Sequence, residues 1–468
     1  MNKPAEHCAH KSVDVIQQRL TDYACELTYD ALTPQAIHAA KVRVIDTLGA
    51  LVGGFFGESC QIARSFAAQF PCPSGATVIG TRTKTTPDVA AFVNGTTARD
   101  GEINDVYYWP GSGGGHPSDL LAPVLAAAEH AGASGREFIT GVVLAYEVYL
   151  RIADASKLAG FDTTNYACLG GAVAAGKLLG LSRDQLSHCI SIAAISNNAL
   201  GQARTGYLST WKAAAAGEAG RAAVSAALLA RCGMQGPHLP FEGKEGWCDH
   251  VAGKRFSLDT MGGGGTPFKI SDTIIKVRAT CASTISSALA AEKIAPLKDV
   301  ADVNRVTVEL YAKAKSSRGT GEHHWNPDNR YTADHSIPYV VAATLMDGTV
   351  SHRSFDDAHL WNPELRSLLK KIELVENPEF TAAHERLPVE HRTRVTVVTS
   401  SGERLVGETG GDKGELSEQR SDAWIEDKFR GFTEDYLGAK RVKSILDRLW
   451  HLEVIGNVAE IPVAFALD

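Results

Sequence analysis

The chain is short of several features that would by themselves point to a class of function. It has no excess of positive charge: 47 Lys plus Arg stand against 54 Asp plus Glu, a net charge of −7. Non-specific nucleic-acid binding needs a basic face that releases phosphate counterions, so nucleic acid is set aside as a partner. The nine cysteines, at 8, 25, 60, 72, 168, 189, 232, 248 and 281, include no CxxC pair. Zinc ribbons and the usual iron–sulfur spacings are thereby excluded, and most of the thiols are expected to be small buried apolar groups. No stretch approaches about 18 apolar residues free of charge, the length a membrane-spanning helix needs. The opening MNKPAEHCAHKSVDV lacks the apolar core of a secretory signal, so a cytoplasmic protein without a membrane partner is expected. There is no G-x-S-x-G elbow, no internal repeat and no low-complexity segment. The adjacent His323-His324 has no third ligand at a diagnostic spacing, so no metal is expected.

What is present is the composition of a folded globular protein: 44% of residues are hydrophobic and 22% charged, too apolar for disorder. A length of 468 residues, at about 100–200 per domain, allows two to four domains. From about 12 to 260 the chain is rich in Ala, Leu and Gly with apolar residues at helical spacing, and it reads as nearly all helix. Thr33-Pro34 is a cap followed by proline at the first helical position, leading into QAIHAAKVRVIDTLGALVGG. Further helices are expected at 120–133, 136–155, 166–181, 182–200 and 211–233. The run Gly262-Gly263-Gly264-Gly265 reads as a flexible break near a domain hinge. After a helix over Thr280–Ala291 the pattern turns to short alternating strands at 303–310, 370–376, 392–400 and 402–408, with helices at 334–347 and 363–370 between them. Helical periodicity returns from about 419 to 450. The expected fold is mainly α with an α+β lid: an all-helical domain (1–275), a smaller α+β domain (276–412), and a C-terminal helical segment (413–468) packing back on the first.

Three places carry residues suited to chemistry. Glu102 and Asp105 precede an aromatic and Gly-rich loop that ends in His116-Pro117-Ser118-Asp119 and opens a helix at Leu120. Such a loop either moves protons through His116 near neutral pH or is simply a helix start capped by Ser118 or Asp119. Its GSGGG is no dinucleotide fingerprint, since no βαβ unit surrounds it. Lys212 stands at the start of an Ala-rich helix, where it opposes the helix dipole unless an anion is near. With Lys276 and Arg204 it forms a set of cations able to hold a polycarboxylate, although each taken alone reads more readily as a solvated side chain. In Tyr331-Thr332-Ala333-Asp334-His335-Ser336, Asp334 or Thr332 can cap the next helix, and His335 is either a core histidine or a proton carrier.

On these residues the chain resembles the MmgE/PrpD family, and within it the 2-methylcitrate dehydratase branch of propionate catabolism. The resemblance runs through VIDTLGALVGG (44–54), AAFVNGTTARDGEINDVY (90–107), GHPSDLLAPVLAAAE (115–129), GKLLGLS (176–182), ARTGYLSTWKAAAAGEAGRAAVSAALLA (203–230), GPHLPFEGKEGW (236–247) and YTADHSIPYVVAATLMDG (331–348). It implies a homodimer of a helical domain with a smaller lid, the active site between them, and no metal or organic cofactor. It implies a lyase that removes water from a small di- or tricarboxylic hydroxy acid such as 2-methylcitrate or citrate. Other members epimerise or decarboxylate related acids. Carried over position by position, the resemblance puts Glu102, Asp105, His116 and Lys212 in catalysis, with Arg204, Lys276 and Cys281 toward the substrate. Elimination needs a base for the α-proton, an acid for the hydroxyl, and charge to stabilise an enediolate-like carboxylate. His116 and the Glu102/Asp105 carboxylates are the expected proton carriers, the cations the expected carboxylate ligands, and Lys212 an alternative acid. The chain departs from its relatives at Val106, at Asp162-Thr163 and over Val277–Cys281, which counts against decarboxylation. Cys281 is either a substitute proton donor or a structural thiol. A carboxylate-binding homologue without turnover is the non-enzymatic alternative.

Overall fold

The computed structural model describes residues 12–467; Cys8 and the segment before Ser12 lie outside them. The first half is α1 (Val15–Glu26), α2 (Pro34–Gly54), α3 (Glu58–Ala67), α4 (Pro87–Asp100), α5 (Leu121–Ala131), α6 (Gly135–Ala155), α7 (Thr164–Leu178), α8 (Arg183–Ser196) and α9 (Trp211–Arg231). Local chemistry starts these helices. Thr33 accepts from the Ala36 N–H with Pro34 behind it, and Ser134 and Ser182 each close a capping box with Glu137 and Gln185. The helical half also carries one antiparallel pair, β1 (Pro71–Thr77) with β2 (Lys84–Thr85), where periodicity suggested only helix.

Small residues bring the helices close. A Cβ on Gly217 of α9 would lie 2.3 Å from the Phe92 carbonyl oxygen of α4, and one on Gly95 would lie 3.0 Å from the Gly217 Cα. The two backbones therefore touch, and this contact aims the end of α4 at the start of α9. The glycine run at 262–265 is no loose hinge. Gly262 donates its N–H to the buried Glu147 at 2.6 Å and accepts from the Tyr23 hydroxyl, while Gly263, Gly264 and Gly265 take positive φ in a tight turn.

The second unit is a four-stranded mixed sheet in the order β4-β3-β5-β6, built from β3 (Val303–Leu310), β4 (Ile372–Glu376), β5 (Thr393–Thr399) and β6 (Arg404–Thr409). β3 pairs parallel with β4 and antiparallel with β5. Val306, Val308 and Leu310 of β3 and Val395 and Val397 of β5 are buried, the period-two signature of a sheet with one covered face. The cover is the helix Ala282–Glu292 and the helix Ile337–Asp347, whose apolar residues share one core with the strands. The helical return from 419 to 450 is two helices, Asp422–Leu437 and Ala439–Trp450, split at Gly438 with φ +75°. Phe429, Leu446 and Phe465 join the core of the first half, so the fold is mainly α with a small mixed-sheet unit between helical segments. Among the described residues no helix is long and apolar enough to cross a membrane.

Candidate active site

The contact between α4 and α9 delivers two charged ends to one point. Arg99 lies in the last turn of α4, and the chain leaves through Gly101 into Glu102, a non-glycine residue held at φ +50°. Such backbone is costly for a residue with a Cβ and persists only where surrounding contacts over-determine it. Those contacts are ionic. Glu102 Oε1 is 2.6 Å from Lys212 Nζ at the start of α9 and 2.5 Å from Arg99 Nη1. Its Oε2 is 2.7 Å from Lys276 Nζ. Lys212 Nζ also lies 3.6 Å from Asp334 Oδ2 of the sheet-bearing unit. Lys212 and Lys276 are wholly buried. The anion that Lys212 requires at a helix start is thus partly internal, supplied by Glu102 and Asp334.

Electrostatics sort these groups. Burial pushes the Glu102 carboxyl up, but Arg99, Lys212 and Lys276 together outweigh it and hold it well below the usual carboxylate range, so Glu102 is a permanent anion. Burial lowers the Lys212 amine, and Asp334 and Glu102 only partly restore it. Lys212 Nζ and Glu102 Oε1, both buried, meet as a close ion pair.

The loop from Glu102 to His116 is fastened by its own polar groups. Val106 pairs with Ile274 and Tyr107 with Gly115, which sets Lys276 beneath Glu102. The Asp105 carboxylate accepts from the Ser118 N–H at 2.8 Å, and its carbonyl accepts from His116 Nδ1 at 2.9 Å. A carbonyl can only accept, so Nδ1 carries the hydrogen and the Nε2 of the neutral ring keeps its lone pair. Burial first, then Arg99 and Lys276, pushes the His116 imidazole well below its ordinary value, and the ring is a neutral base. Neither Ser118 nor Asp119 caps α5 with its side chain. Asp119 sits 3.5 Å from Arg99 Nε, and burial raises its carboxyl to about 7.

Across the seam, a cavity of about 240 Å³ opens between Arg204–Leu208 and Ser316–His335. Arg204 lines it, held by Asp162 at 2.8 Å and by the Lys212 carbonyl at 2.6 Å. Asp162 is therefore the counter-ion that orients Arg204. Arg318 and His335 line the other side. Arg318 Nε donates to Cys281 Sγ at 3.1 Å, and His335 is within hydrogen-bonding reach of the same sulfur. His335 Nδ1 donates to the Asp334 carboxylate. Burial alone would raise the Cys281 thiol, but Arg318 and then His335 outweigh it and hold it well below its ordinary value. Ser336, rather than Asp334 or Thr332, caps the following helix, which leaves Asp334 and His335 to the site.

Glu102, Lys212 and Lys276 thus meet at one carboxylate, His116 stands beside them, and Arg204 and Cys281 approach from the cavity side. Asp105 is brought in as a loop anchor. Arg99, Arg318 and Lys428 join them without having stood out in the sequence. Lys428, on the helix Asp422–Leu437, binds Asp46 at 2.5 Å and the carbonyls of Ile103 and Lys276 at 2.8 and 2.9 Å. A readable signal existed only for Arg99: Thr86-Pro87 repeats the Thr33-Pro34 helix start and sets Arg99 in the closing turn, three residues before Glu102.

Fold and site together define a two-unit helical protein whose cluster of buried cations around Glu102 lies where a small mixed sheet meets the helical body. The chain belongs to the MmgE/PrpD family: the family's N-terminal domain matches residues 18–259 and its C-terminal domain residues 279–452. It is 27% identical over 389 residues to the 2-methylcitrate dehydratase of Salmonella typhimurium, covering 78% of each chain. It is 28% identical to the mitochondrial 2-methylcitrate dehydratase of Yarrowia lipolytica, covering 80% of this chain and 74% of that one. It is 25% identical to the cis-aconitate decarboxylase of Homo sapiens, covering 90% and 88%. Dehydratases and decarboxylases are alike lyases, so the relatives support lyase chemistry at the level of the family.

Proposed function

We propose that this protein is a hydro-lyase that removes water from a small hydroxy di- or tricarboxylic acid of the 2-methylcitrate or citrate kind. The observation that carries the reading is the convergence of Lys212, Lys276 and Arg99 on one carboxylate beside the neutral base His116. A substrate carboxylate entering the cavity meets Arg204 and Arg318, and the buried cations around Glu102 add positive potential behind it. Carbanion character then develops next to that carboxylate, in a site where water is excluded and positive charge is already fixed. His116 Nε2 takes the α-proton, and the electron pair of the C–H bond moves into the carboxylate and on into the new double bond. The hydroxyl leaves as water after taking a proton from an acid of the site. Glu102 holds the lysines in register, and Asp105 fixes the tautomer of His116 through its carbonyl. We assign the protein to a homodimer, which light scattering of the purified chain tests.

The test is incubation with 2-methylcitrate and with citrate while ultraviolet absorbance of the conjugated alkene is followed. Alkene from either substrate, lost on His116→Ala, is the expected result. Deuterium uptake from D₂O into recovered substrate without any alkene overturns it in favour of epimerisation, and release of carbon dioxide overturns it in favour of decarboxylation.

A further inference from the structure

The cluster that binds Glu102 accounts for charge and for one base, but the cavity is lined by a different set of groups. Lys212 is wholly buried and does not line it, whereas His335 and Arg318 do. His335 is oriented by Asp334 on one side and reaches Cys281 on the other. Arg318 Nε donates to the Cys281 sulfur at 3.1 Å. The Cys281 backbone is fixed to the same turn, its N–H donating to the Asp334 carbonyl at 2.9 Å. An imidazole between a carboxylate and a sulfur, with the sulfur clamped by a guanidinium, has the parts of an activated thiol–imidazole pair on an oriented base.

We propose that His335, oriented by Asp334 and positioned by Cys281, is the acid that protonates the leaving hydroxyl. This rests on the hydro-lyase reading and completes it. The proton shared between Cys281 and His335 passes to the hydroxyl oxygen as the C–O bond breaks, its electron pair leaves with the oxygen, and water departs. After product has left and the cavity is open to solvent, His116 releases the proton it took and the pair takes one up, so the cycle conserves protons. His335 is the catalytic residue, because it faces the cavity; Cys281 is a positioning residue. The charged and titratable groups that face His335 are Asp334, Cys281, Glu102 and His324, with Arg318 behind the sulfur.

Wild type, His335→Asn, Cys281→Ser and Cys281→Asp are compared for kcat, KM and pH profile with the best acid found above. His335→Asn is expected to lose at least about a hundredfold in kcat, the usual scale of general-acid loss. Cys281→Ser removes an anion beside the imidazole, so the alkaline limb of kcat moves to lower pH while KM changes little, and Cys281→Asp moves the limb back. A structural role for Cys281 would instead lower stability without moving the limb, and that result, or an unchanged kcat in His335→Asn, overturns the proposal. Alkylation by iodoacetamide at about pH 6, read by peptide mass spectrometry, separates the two readings. Labelling of Cys281 ahead of the exposed Cys25 and Cys232, suppressed in His335→Asn, upholds the thiol–imidazole pair even where no acid is dehydrated. Labelling that ignores His335 refutes the pair even where dehydration is found.

Discussion

Lys212 Nζ and Asp334 Oδ2 face each other at 3.6 Å across the seam between the helical body and the sheet-bearing unit. Both are almost wholly buried, and each has a second partner inside its own unit, Glu102 for Lys212 and His335 for Asp334. The two units are therefore joined at the site itself by charge, in surroundings where a lone charge is expensive.

Asp334→Asn is accordingly expected to cost about 3 kcal/mol of stability, the low end for breaking a buried ion pair, because Lys212 keeps Glu102. Lys212→Met in the same background is expected to cost less than it does alone, because its pair with Asp334 is already broken. Urea unfolding of the two single variants and the double variant measures the coupling. Simple additivity would mean that the two side chains do not interact.

Glu102 sits at φ +50° among three cations, and its removal acts on both charge and backbone. Glu102→Gln leaves Arg99, Lys212 and Lys276 repelling one another, and dehydration is expected to fall at least about a hundredfold, with weaker carboxylate binding. The folded carboxyl is depressed relative to the unfolded chain, where it titrates near about 4.3. Its stabilisation is therefore complete above that range and lost as pH falls toward the depressed folded value. Melting temperature followed from neutral pH into the acid range should fall more steeply in wild type than in Glu102→Gln; parallel curves would count against the ion cluster.

His116 moves the same way for a different reason. Its folded value is lowered by burial, Arg99 and Lys276, so the neutral ring is favoured in the fold, and acidification below about 6.5 destabilises the protein as the unfolded chain takes up the proton first. The acid limb of kcat/KM attributable to this base should accordingly lie well below 6.5. His116→Gln should retain the fold and lose about a hundredfold or more in kcat. An acid limb at the ordinary histidine value would show that another group is the base.

Much of this architecture can be read along the chain where the determinant is local. Thr33-Pro34 starts α2 as its cap chemistry requires, and strands at 303–310, 372–376, 393–399 and 404–409 fall on the alternating segments. Glycine was the main source of misreading, because its freedom serves opposite ends. At 262–265 it makes a turn pinned to Glu147 instead of a flexible break, and at Gly438 it divides the helical return into two helices. In the site, Glu102, Lys212, Lys276 and His116 stand out because charges in apolar or Gly-rich surroundings call for partners. Arg318 on Cys281 and Lys428 on Ile103 do not, since each is ordinary in its own segment and acquires its meaning only through a contact made by folding, 325 residues away in the case of Lys428.

Lys428 supplies the last prediction. Its amine, 2.5 Å from Asp46, binds the carbonyls of Ile103 and Lys276, so one side chain of the C-terminal helix holds both walls of the Glu102 loop while touching none of the proposed reacting groups. Burial lowers this amine, with Asp46 opposing, and Lys428→Met strands a buried carboxylate and two carbonyls, a loss of about 3–5 kcal/mol. Asp46→Asn combined with Lys428→Met removes the stranded charge and should restore part of the stability. It should not restore the loop, so kcat stays depressed in the double variant even where its melting temperature approaches wild type. Recovery of kcat in step with stability would reduce Lys428 to a structural ion pair with no hold on the geometry of Glu102 and Lys276.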